Sequence, residues 1–316
     1  MLNTKSNFLV IVIATHNRLE LLKKAIASIK NGVRCDHEVI VIDGQSNDGT
    51  VEFLKENKDV TSVFQNELIG ASRTYNYVWK RIECKYTCWL SDDTEIVDGS
   101  LDLAVSILEK DSEIGMVGLK MKDTNGPWIK HPYMGGISTY GILTCNHGVL
   151  KKSLLSEAGY FNESYKTYMI DVDLTASVLS LGKKVVMTKQ ISILHNRFWA
   201  DNDKNTHGVL DEMKIYKNKI VYIKKFTYLK KTLTPITVKR KQLVFDLYNF
   251  VYEKFKNLNF LLNTARNIRN LLTGRFISYV DPIRCIGKKY HFVQQIPENL
   301  ILIKENPYRH LINKHY

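Results

Sequence analysis

Short, mainly apolar runs alternate with amphipathic segments along the first third of the chain. Four such runs have the length and composition of buried strands, and they cover 8–14, 38–43, 60–64 and 86–90. Segments with apolar residues every three or four positions follow the first three runs and predict helices at 17–32, 50–54 and 70–81. The alternation of strand and helix predicts a mostly parallel sheet with right-handed crossovers.

Strand and helix patterns continue to about residue 195. They predict helices at 101–108 and 152–158, a third helix that starts at Asp171, and strands at 114–121, 143–150, 184–187 and 191–194. A stretch rich in glycine and aromatic residues, 125–141, predicts a loop or lid. At the start of the first helix, Asn17 and Glu20 have the spacing of a capping box, so we expect Asn17 to be its N-cap.

Two adjacent carboxylates, Asp92 and Asp93, directly follow the strand at 86–90. Ligands of α/β proteins bind beyond the carboxyl ends of the strands, and two carboxylates side by side repel each other unless a cation or a donor compensates them. One interpretation is that Asp93 holds a divalent metal and Asp92 contacts the same ligand. The alternative is that both residues only cap a turn.

Composition limits the class of protein. With 316 residues, of which 44% are hydrophobic, the chain can bury a sizeable core. No apolar run approaches the roughly 18 residues of a membrane span, and the run 8–14 is followed at once by polar and charged residues, so a strand fits it better than a signal peptide. The five cysteines are scattered without a zinc-site spacing, which predicts reduced thiols in a cytoplasmic protein.

The net charge of +13 is concentrated in the C-terminal third. Residues 1–211 carry 24 Lys+Arg and 26 Asp+Glu, whereas 212–316 carry 21 and 6, which predicts a domain boundary near 212. Basic and apolar residues alternate at helical spacing in 212–245, and further helix is predicted at 245–272. This helix fits an anionic membrane surface, or it packs on the first domain with a solvated lysine face. No nucleic-acid-reading motif accompanies the charge, so we expect no nucleic-acid partner.

Several short motifs together resemble the family 2 glycosyltransferases of the GT-A fold. The matching segments are 13–18 (IATHNR), 41–50 (VIDGQSNDGT), 70–76 (GASRTYN), 90–93 (LSDD), 159–163 (GYFNE) and 169–174 (MIDVDL). Each is weak alone, and their joint order and spacing carry the resemblance, which covers about 7–200. It implies a Rossmann-like, mostly parallel sheet flanked by helices, with a nucleotide-sugar half at 1–94, an acceptor half at 95–211 and the basic helical region beyond.

The resemblance also implies which residues bind the nucleotide-sugar. Ala14, Thr15 and His16 would form one wall of the base pocket. Asp43 would accept a hydrogen bond from the base, as from N3–H of uracil, and Arg73 would lie over the nucleotide. These residue types suit such a site, although Asp43 as a turn cap and Arg73 as a surface residue are the alternatives.

The remaining implied roles concern the diphosphate and the acceptor. Asp92 would bind the ribose or the sugar, while Asp93 and His195 would hold Mn²⁺ or Mg²⁺, which neutralises the charge on a departing diphosphate. Asp171, at a helix N-terminus, would be the catalytic base. Two residues depart from the common pattern: Ile170 stands where many relatives have Glu, and Ser91 where many have Asp.

Together with the resemblance, the sequence predicts a cytoplasmic, peripheral-membrane, inverting glycosyltransferase, and the resemblance implies a role in polysaccharide biosynthesis. The enzyme would transfer a sugar from a nucleotide donor, in the first place a UDP-sugar, to a glycan or a lipid-linked saccharide. Two alternatives remain open at this stage. One is a catalytically silent scaffold that binds a nucleotide-sugar or a membrane, and the other is a nucleotidyltransferase on a similar sheet.

Overall fold

A computed structural model describes residues 2, 6–125, 145–163, 165, 167, 170–188, 190–196 and 247, together with the backbone of 293–295 and 300–303. The predicted lid beyond residue 125, the basic segment 212–245 and, except for Leu247, the helix predicted at 245–272 lie outside the described residues. Among the helices that are described, none combines the length and the apolar character needed to cross a bilayer.

Twelve strands and six helices are described. The strands are β1 (Leu9–Thr15), β2 (His37–Asp43), β3 (Thr61–Phe64), β4 (Tyr86–Ser91), β5 (Thr94–Ile96), β6 (Ile114–Gly118), β7 (Met121–Asp123), β8 (Gly148–Lys151), β9 (Lys184–Thr188), β10 (Ile193–His195), β11 (Val293–Gln295) and β12 (Leu300–Ile303). The helices are α1 (Leu19–Gly32), α2 (Thr50–Glu56), α3 (Ala71–Trp79), α4 (Ser100–Lys110), α5 (Lys152–Glu157) and α6 (Ile170–Ser180).

The main sheet has the order β11-β12-β9-β6-β8-β4-β1-β2-β3. Strands β3, β2, β1 and β4 are mutually parallel, and so are β6 and β9. Strand β8 is antiparallel to both of its neighbours, β4 and β6. The α/β class and the mostly parallel sheet predicted from the sequence are confirmed. The backbone of β12 pairs with β9, so a part of the C-terminal region joins this sheet.

Both faces of the sheet are covered, which explains the apolar runs. In β1, Leu9, Ile11 and Ile13 belong to a core that includes residues of α1, α2 and α4. Val10 and Val12, which point to the other face, belong to a second core with residues of α3, α5 and α6. A strand buried on both faces needs apolar residues at successive positions rather than at alternate ones.

Two features of the sheet were not predicted. The single strand predicted at 114–121 is instead two strands, β6 and β7, which belong to different sheets. Strand β5, directly after the Asp92-Asp93 pair, had no predicted counterpart. It joins β10 and β7 in a separate three-stranded sheet with the order β5-β10-β7.

The N-cap predicted for the first helix was wrong. Asn17 lies in the left-handed region, at φ 51°, and α1 begins only at Leu19. The backbone N–H of Leu19 instead donates to Oδ2 of Asp48, at 3.0 Å, from the turn after β2. Because a carboxylate from another loop satisfies this helix end, the local capping-box pattern was misleading.

Replacing Gly148 with alanine is expected to lower the free energy of unfolding by about 1–3 kcal/mol, as overpacking of a core does. Gly148 opens β8 between two strands. A Cβ there would lie 2.9 Å from the carbonyl oxygen of Val117 and 3.0 Å from the ring of Trp89. Gly32→Ala is the matched control, because its Cβ would meet no atom closer than 3.5 Å. Urea denaturation of both variants measures the difference, and equal midpoints would contradict this packing of β8.

Candidate functional site

The carboxyl ends of three parallel strands place the predicted site residues along one edge of the sheet. Thr15 at the end of β1 pairs in register with Asp43 at the end of β2. On the other side of β1, Ala14 pairs with Ser91 at the end of β4. Asp92 and Asp93 follow directly. The sheet therefore brings together side chains that lie up to several tens of residues apart in sequence.

Asp92 and Asp93 form the centre of a cluster of hydrogen bonds. Oδ2 of Asp92 accepts from the hydroxyl of Thr15 at 2.8 Å. Nη1 of Arg18 lies 3.0 Å from Oδ1 of Asp92 and 3.1 Å from Oδ2 of Asp93. The hydroxyl of Ser91 donates to Oδ1 of Asp93. Both carboxylates are largely buried, and the single guanidinium nitrogen lies between them.

His195 reaches this cluster through the three-stranded sheet. In β10, His195 pairs with Thr94 of β5, the residue after Asp93, and with Asp123 of β7. Its Nε2 lies 3.5 Å from Oδ2 of Asp93, and its Nδ1 lies 3.0 Å from Oδ1 of Asp123. The backbone N–H of Asn196 also donates to the carbonyl of Asp93, at 2.7 Å. Pairing between β5 and β10 thus positions a histidine beside the second carboxylate.

The charges in the cluster affect one another. Burial lowers the pKa of His195, but hydrogen bonds to Asp123 and Asp93 outweigh it and raise the pKa to about 9. Burial raises the pKa of Asp93, but its interactions with His195 prevail and hold that pKa below the usual range. For Asp92, burial prevails over the attraction of Arg18, so its pKa is raised. The two adjacent carboxyl groups therefore shift in opposite directions.

The two carboxylate oxygens of Asp43 differ in their hydrogen bonds within the described part of the chain. Asp43 is buried at the end of β2, and its Oδ2 accepts from the backbone N–H of Ser46 at 3.0 Å. Its Oδ1 is buried and has no hydrogen-bond partner among the residues that the structure describes. A buried, unpaired carboxylate oxygen is costly, and it is a ready acceptor for a ligand donor.

The other residues predicted to bind the nucleotide have different environments. Ala14 is only partly buried, and His16 is exposed in the turn after β1, where its Nδ1–H donates to the carbonyl of Gly44 at 2.8 Å. Arg73 lies in the first turn of α3 with its guanidinium exposed, 3.9 Å from Glu163. Thr15 and His195 thus take part in the hydrogen bonds of the Asp92–Asp93 cluster. The ion pair described for Arg73 is instead with Glu163, outside this cluster.

Asp171 lies in the first turn of α6, as predicted, with its side chain partly buried. Its carbonyl accepts from the hydroxyl of Thr175 at 2.7 Å, and that hydroxyl lies 3.3 Å from the backbone N–H of Cys145. Asp173, two residues further, is fully buried, and its Oδ1 lies 3.4 Å from Nδ2 of Asn162. Of the two carboxylates, only Asp171 has the exposure that a reacting group needs.

Sequence reasoning missed two residues of this site. Arg18 was part of a motif but received no role, and Asp123 was not considered. His147 is buried, its Nδ1–H donates to the carbonyl of Trp89 at 3.1 Å, and burial, together with the positive charge of His195, lowers its pKa to about 4. Only the position of Arg18 beside the first strand offered a signal in the sequence.

Within the described ranges, no group of three or more His, Cys, Asp or Glu side chains could form a complete metal cage. Asp93 and His195 provide two adjacent donors. The Nδ1–H of His195 is held by Asp123, so its Nε2 is the nitrogen that faces Asp93. A carboxylate behind a histidine is the usual way in which proteins orient a metal-binding imidazole. The pair therefore fits a cation that takes its other ligands from a bound phosphate and water.

Comparison with known proteins identifies the family. The sequence model described as "Glycosyl transferase family 2" matches residues 10–166, which include β1 to β8 and the Asp92–Asp93 cluster. This part of the chain belongs to glycosyl transferase family 2. The resemblance inferred from the motifs is confirmed.

A curated relative and several solved structures agree with this membership. This chain is 33% identical over 110 residues to "GalNAc(5)-diNAcBac-PP-undecaprenol beta-1,3-glucosyltransferase" of Campylobacter jejuni, an alignment that covers 33% of this chain and 35% of the relative. The match thus spans about a third of the curated relative's length.

Two similar folds are among the solved structures. S. aureus TarS 1–349 in complex with UDP has a TM-score of 0.52 at 14% identity and covers 96% of this chain and 99% of its own. The mannosyltransferase PcManGT from Pyrobaculum calidifontis, in complex with GDP-Man and Mn²⁺, has a TM-score of 0.52 at 16% identity and covers 87% and 77%. At these identities, the likeness establishes the GT-A type of fold.

Proposed function

We propose that this chain is an inverting glycosyltransferase that transfers a sugar from a UDP-sugar to a hydroxyl group of a glycan or a lipid-linked saccharide. The observation that supports it most directly is the cluster at the carboxyl edge of the sheet. There, Asp93 faces His195 beyond β4, and β2, on the other side of β1, ends with the carboxylate oxygen of Asp43 that has no partner among the described residues. Family membership and the UDP and GDP-Man complexes of similar folds point to the same class of donor.

The surroundings of Asp43 favour uridine over guanosine. Guanine presents two donors side by side, N1–H and N2–H, and a carboxylate binds them best with both oxygens. In Asp43, Oδ2 already accepts from Ser46, so that one oxygen remains. A single acceptor matches the single imide N–H of uracil. Ala14, Thr15 and His16 would form the wall beside this base, and Arg73 would lie over the nucleotide.

Asp93 and His195 are the residues proposed to hold Mn²⁺ or Mg²⁺. The cation supplies Lewis-acid stabilisation of the negative charge on the diphosphate oxygens. Asp93 provides the hard carboxylate ligand, and Asp123 keeps Nε2 of His195 directed toward the same place. Asp92, held by Thr15 and Arg18, would contact the ribose or the sugar.

Asp171 is proposed to accept the proton of the attacking hydroxyl. The acceptor oxygen forms a bond to the anomeric carbon while the bond from that carbon to the diphosphate oxygen breaks. The electron pair of the broken bond leaves with the diphosphate, and the hydroxyl proton goes to the carboxylate of Asp171. A single displacement of this kind inverts the anomeric carbon.

The acceptor and the location are proposed from the curated relative and from the charge of the C-terminal region. The curated relative is named for a substrate that is linked through a diphosphate to undecaprenol, which supports a lipid-linked saccharide as acceptor. The basic segment 212–245, within the proposed C-terminal region 212–316, would hold the protein on the cytoplasmic face of an anionic membrane. The proposed catalytic domain, 1–211, would then act on substrates at that surface.

A donor screen tests the proposed activity. Purified protein is incubated with UDP-, GDP- and dTDP-sugars and Mn²⁺, with and without an undecaprenyl-diphosphate-linked saccharide, and the release of nucleoside diphosphate is followed. We expect release from a UDP-sugar, and we expect EDTA to abolish it. Formation of a nucleotide-sugar and pyrophosphate would instead identify a nucleotidyltransferase. Metal-dependent binding of UDP without turnover on any acceptor would favour the silent scaffold.

Replacing Asp43 with asparagine is expected to change the preferred base. Because the backbone N–H of Ser46 needs an acceptor, the amide oxygen takes the place of Oδ2, and the amide –NH₂ replaces the free oxygen. The –NH₂ group then faces the N3–H of uracil, which is also a donor, whereas it can donate to N3 of cytosine. We expect UDP to bind about 10–100-fold more weakly, as for a lost charge-assisted hydrogen bond, and CDP to gain affinity.

Calorimetry with UDP, CDP and inorganic pyrophosphate, each with Mn²⁺, measures this change. Pyrophosphate occupies only the diphosphate position, so its affinity should be the same for both proteins. Unchanged affinity of the variant for UDP would exclude Asp43 from the base pocket. Weaker binding of pyrophosphate would indicate a general disturbance of the site.

A further inference from the structure

Arg18 lies in the turn between β1 and α1 and bridges the two carboxylates with one nitrogen. Its Nη1 is 3.0 Å from Oδ1 of Asp92 and 3.1 Å from Oδ2 of Asp93. The carboxylates are 5% and 13% exposed, whereas the side chain of Arg18 is 45% exposed. Two buried carboxylates are therefore compensated by a guanidinium that itself remains accessible to solvent.

The backbone on both sides of Arg18 is fixed by the loop that follows β2. The N–H of Asn17 donates to the hydroxyl of Ser46 at 2.8 Å, and Oδ1 of Asn17 accepts from the N–H of Asn47 at 2.7 Å. On the other side, the N–H of Leu19 donates to Asp48. With the main chain held at both neighbours, a change in the position of the guanidinium requires only rotation of the long side chain.

Arg18 and His195 approach the same oxygen of Asp93. Nη1 of Arg18 and Nε2 of His195 lie 3.1 Å and 3.5 Å from its Oδ2. A divalent cation held by Asp93 and His195 would add positive charge close to the guanidinium. Like charges at this distance in a partly buried site repel strongly. Binding of the cation at Asp93 and the observed position of the Arg18 guanidinium therefore disfavour each other.

We propose that Arg18 is a diphosphate-binding residue that exchanges its partners: it pairs with Asp92 and Asp93, and it turns to the phosphate oxygens when a divalent cation binds at Asp93. The guanidinium suits both partners, because its planar set of donors matches carboxylate and phosphate alike. At the phosphate, it would stabilise the charge of the leaving diphosphate. This role rests on the proposed function, since the diphosphate is that of the donor.

Arg18→Gln separates partner exchange from a purely structural role, because the two expected effects have opposite signs. Without the guanidinium, which competes for Asp93, Mn²⁺ in the absence of UDP should bind about 5–10-fold more tightly, a coupling of ordinary size. With saturating Mn²⁺, UDP should bind about tenfold more weakly, because a charge-assisted contact to phosphate is lost. Electron paramagnetic resonance of free Mn²⁺ measures the first affinity, and calorimetry measures the second.

Arg34→Gln is the matched control. Arg34 pairs with Asp98 at 2.6 Å on the surface, where both side chains are mostly exposed, so the same charge is removed away from the site. Both affinities should stay at the wild-type values. Mn²⁺ affinity that is unchanged or weaker in Arg18→Gln would overturn the exchange. Wild-type protein that binds neither Mn²⁺ nor UDP would instead count against the proposed function.

Discussion

Replacing Asp93 with asparagine is expected to lower turnover of the UDP-sugar by about 10³-fold. A divalent cation contributes several kcal/mol to the stabilisation of a departing diphosphate, and about 4 kcal/mol corresponds to a thousandfold in rate. Among the described residues, Asp93 is the carboxylate that faces Nε2 of His195. Asparagine keeps the size of the side chain but removes the charge. Release of UDP under saturating donor and Mn²⁺ measures the loss.

Asp98→Asn is the control for this variant, because Asp98 is an exposed carboxylate in an ion pair with Arg34. Its turnover should stay within twofold of the wild-type value, as expected for a surface pair that contributes little. Mn²⁺-dependent binding of UDP should weaken in Asp93→Asn and not in Asp98→Asn. Turnover of Asp93→Asn within tenfold of the wild type would exclude it as the ligand of an essential cation.

The parts of the fold that could be predicted are those whose sequence pattern is set by local burial. Strands β1 and β2 are covered on both faces, so each is a continuous apolar run that few other structures produce. The helix α1 shows its apolar face in Leu22, Ile26 and Ile29, all buried. In these elements, the environment of each residue follows from its position in a regular repeat.

The parts that could not be predicted depend on pairing between distant segments. Strand β5 has three residues, and its partner β10 lies about 100 residues further along the chain. A strand of this length has no period that a sequence pattern could reveal. Likewise, nothing local distinguishes β8 as the reversed strand between β4 and β6.

The candidate site likewise contains residues that could be predicted from the sequence and residues that could not. Asp92 and Asp93 could be predicted because they directly follow a strand, and the position of a strand end in an α/β sheet is itself informative. The contact of Arg18 with them joins residues 74 and 75 positions apart, and Asp123 lies 72 positions from His195. Such contacts depend on the relative positions of loops and on the pairing of distant strands, which short-range patterns do not encode.

The capping of α1 shows how a local rule can fail for this reason. Asn17 and Glu20 have the spacing of a capping box, but the turn that contains Asn17 is held instead by the loop after β2. Asp48 of that loop then supplies the acceptor for the helix end. A contact between two loops thus takes the place of the local cap, and it also fixes the backbone around Arg18, next to the carboxylates.

Replacing Asp171 with asparagine is expected to lower kcat by about 10²–10⁴-fold, the range that a general base contributes. The amide keeps the size of the carboxylate but cannot accept the proton of the attacking hydroxyl. Binding of UDP with Mn²⁺ should be unchanged, because Asp171 is proposed to act on the acceptor and not on the donor. Steady-state turnover with a saturating acceptor and calorimetry with UDP measure the two quantities separately.

Asp173→Asn distinguishes the proposed base from a structural carboxylate of the same helix. Asp173 is fully buried and lies beside Asn162, so its variant should lose about 1–3 kcal/mol of the free energy of unfolding. The protein that remains folded should keep its kcat within tenfold. The partly buried Asp171 should give the opposite result, a large loss of kcat without a comparable loss of stability. If instead kcat falls in the Asp173 variant and survives in the Asp171 variant, the base is wrongly assigned, since only a group that reaches the acceptor hydroxyl can accept its proton.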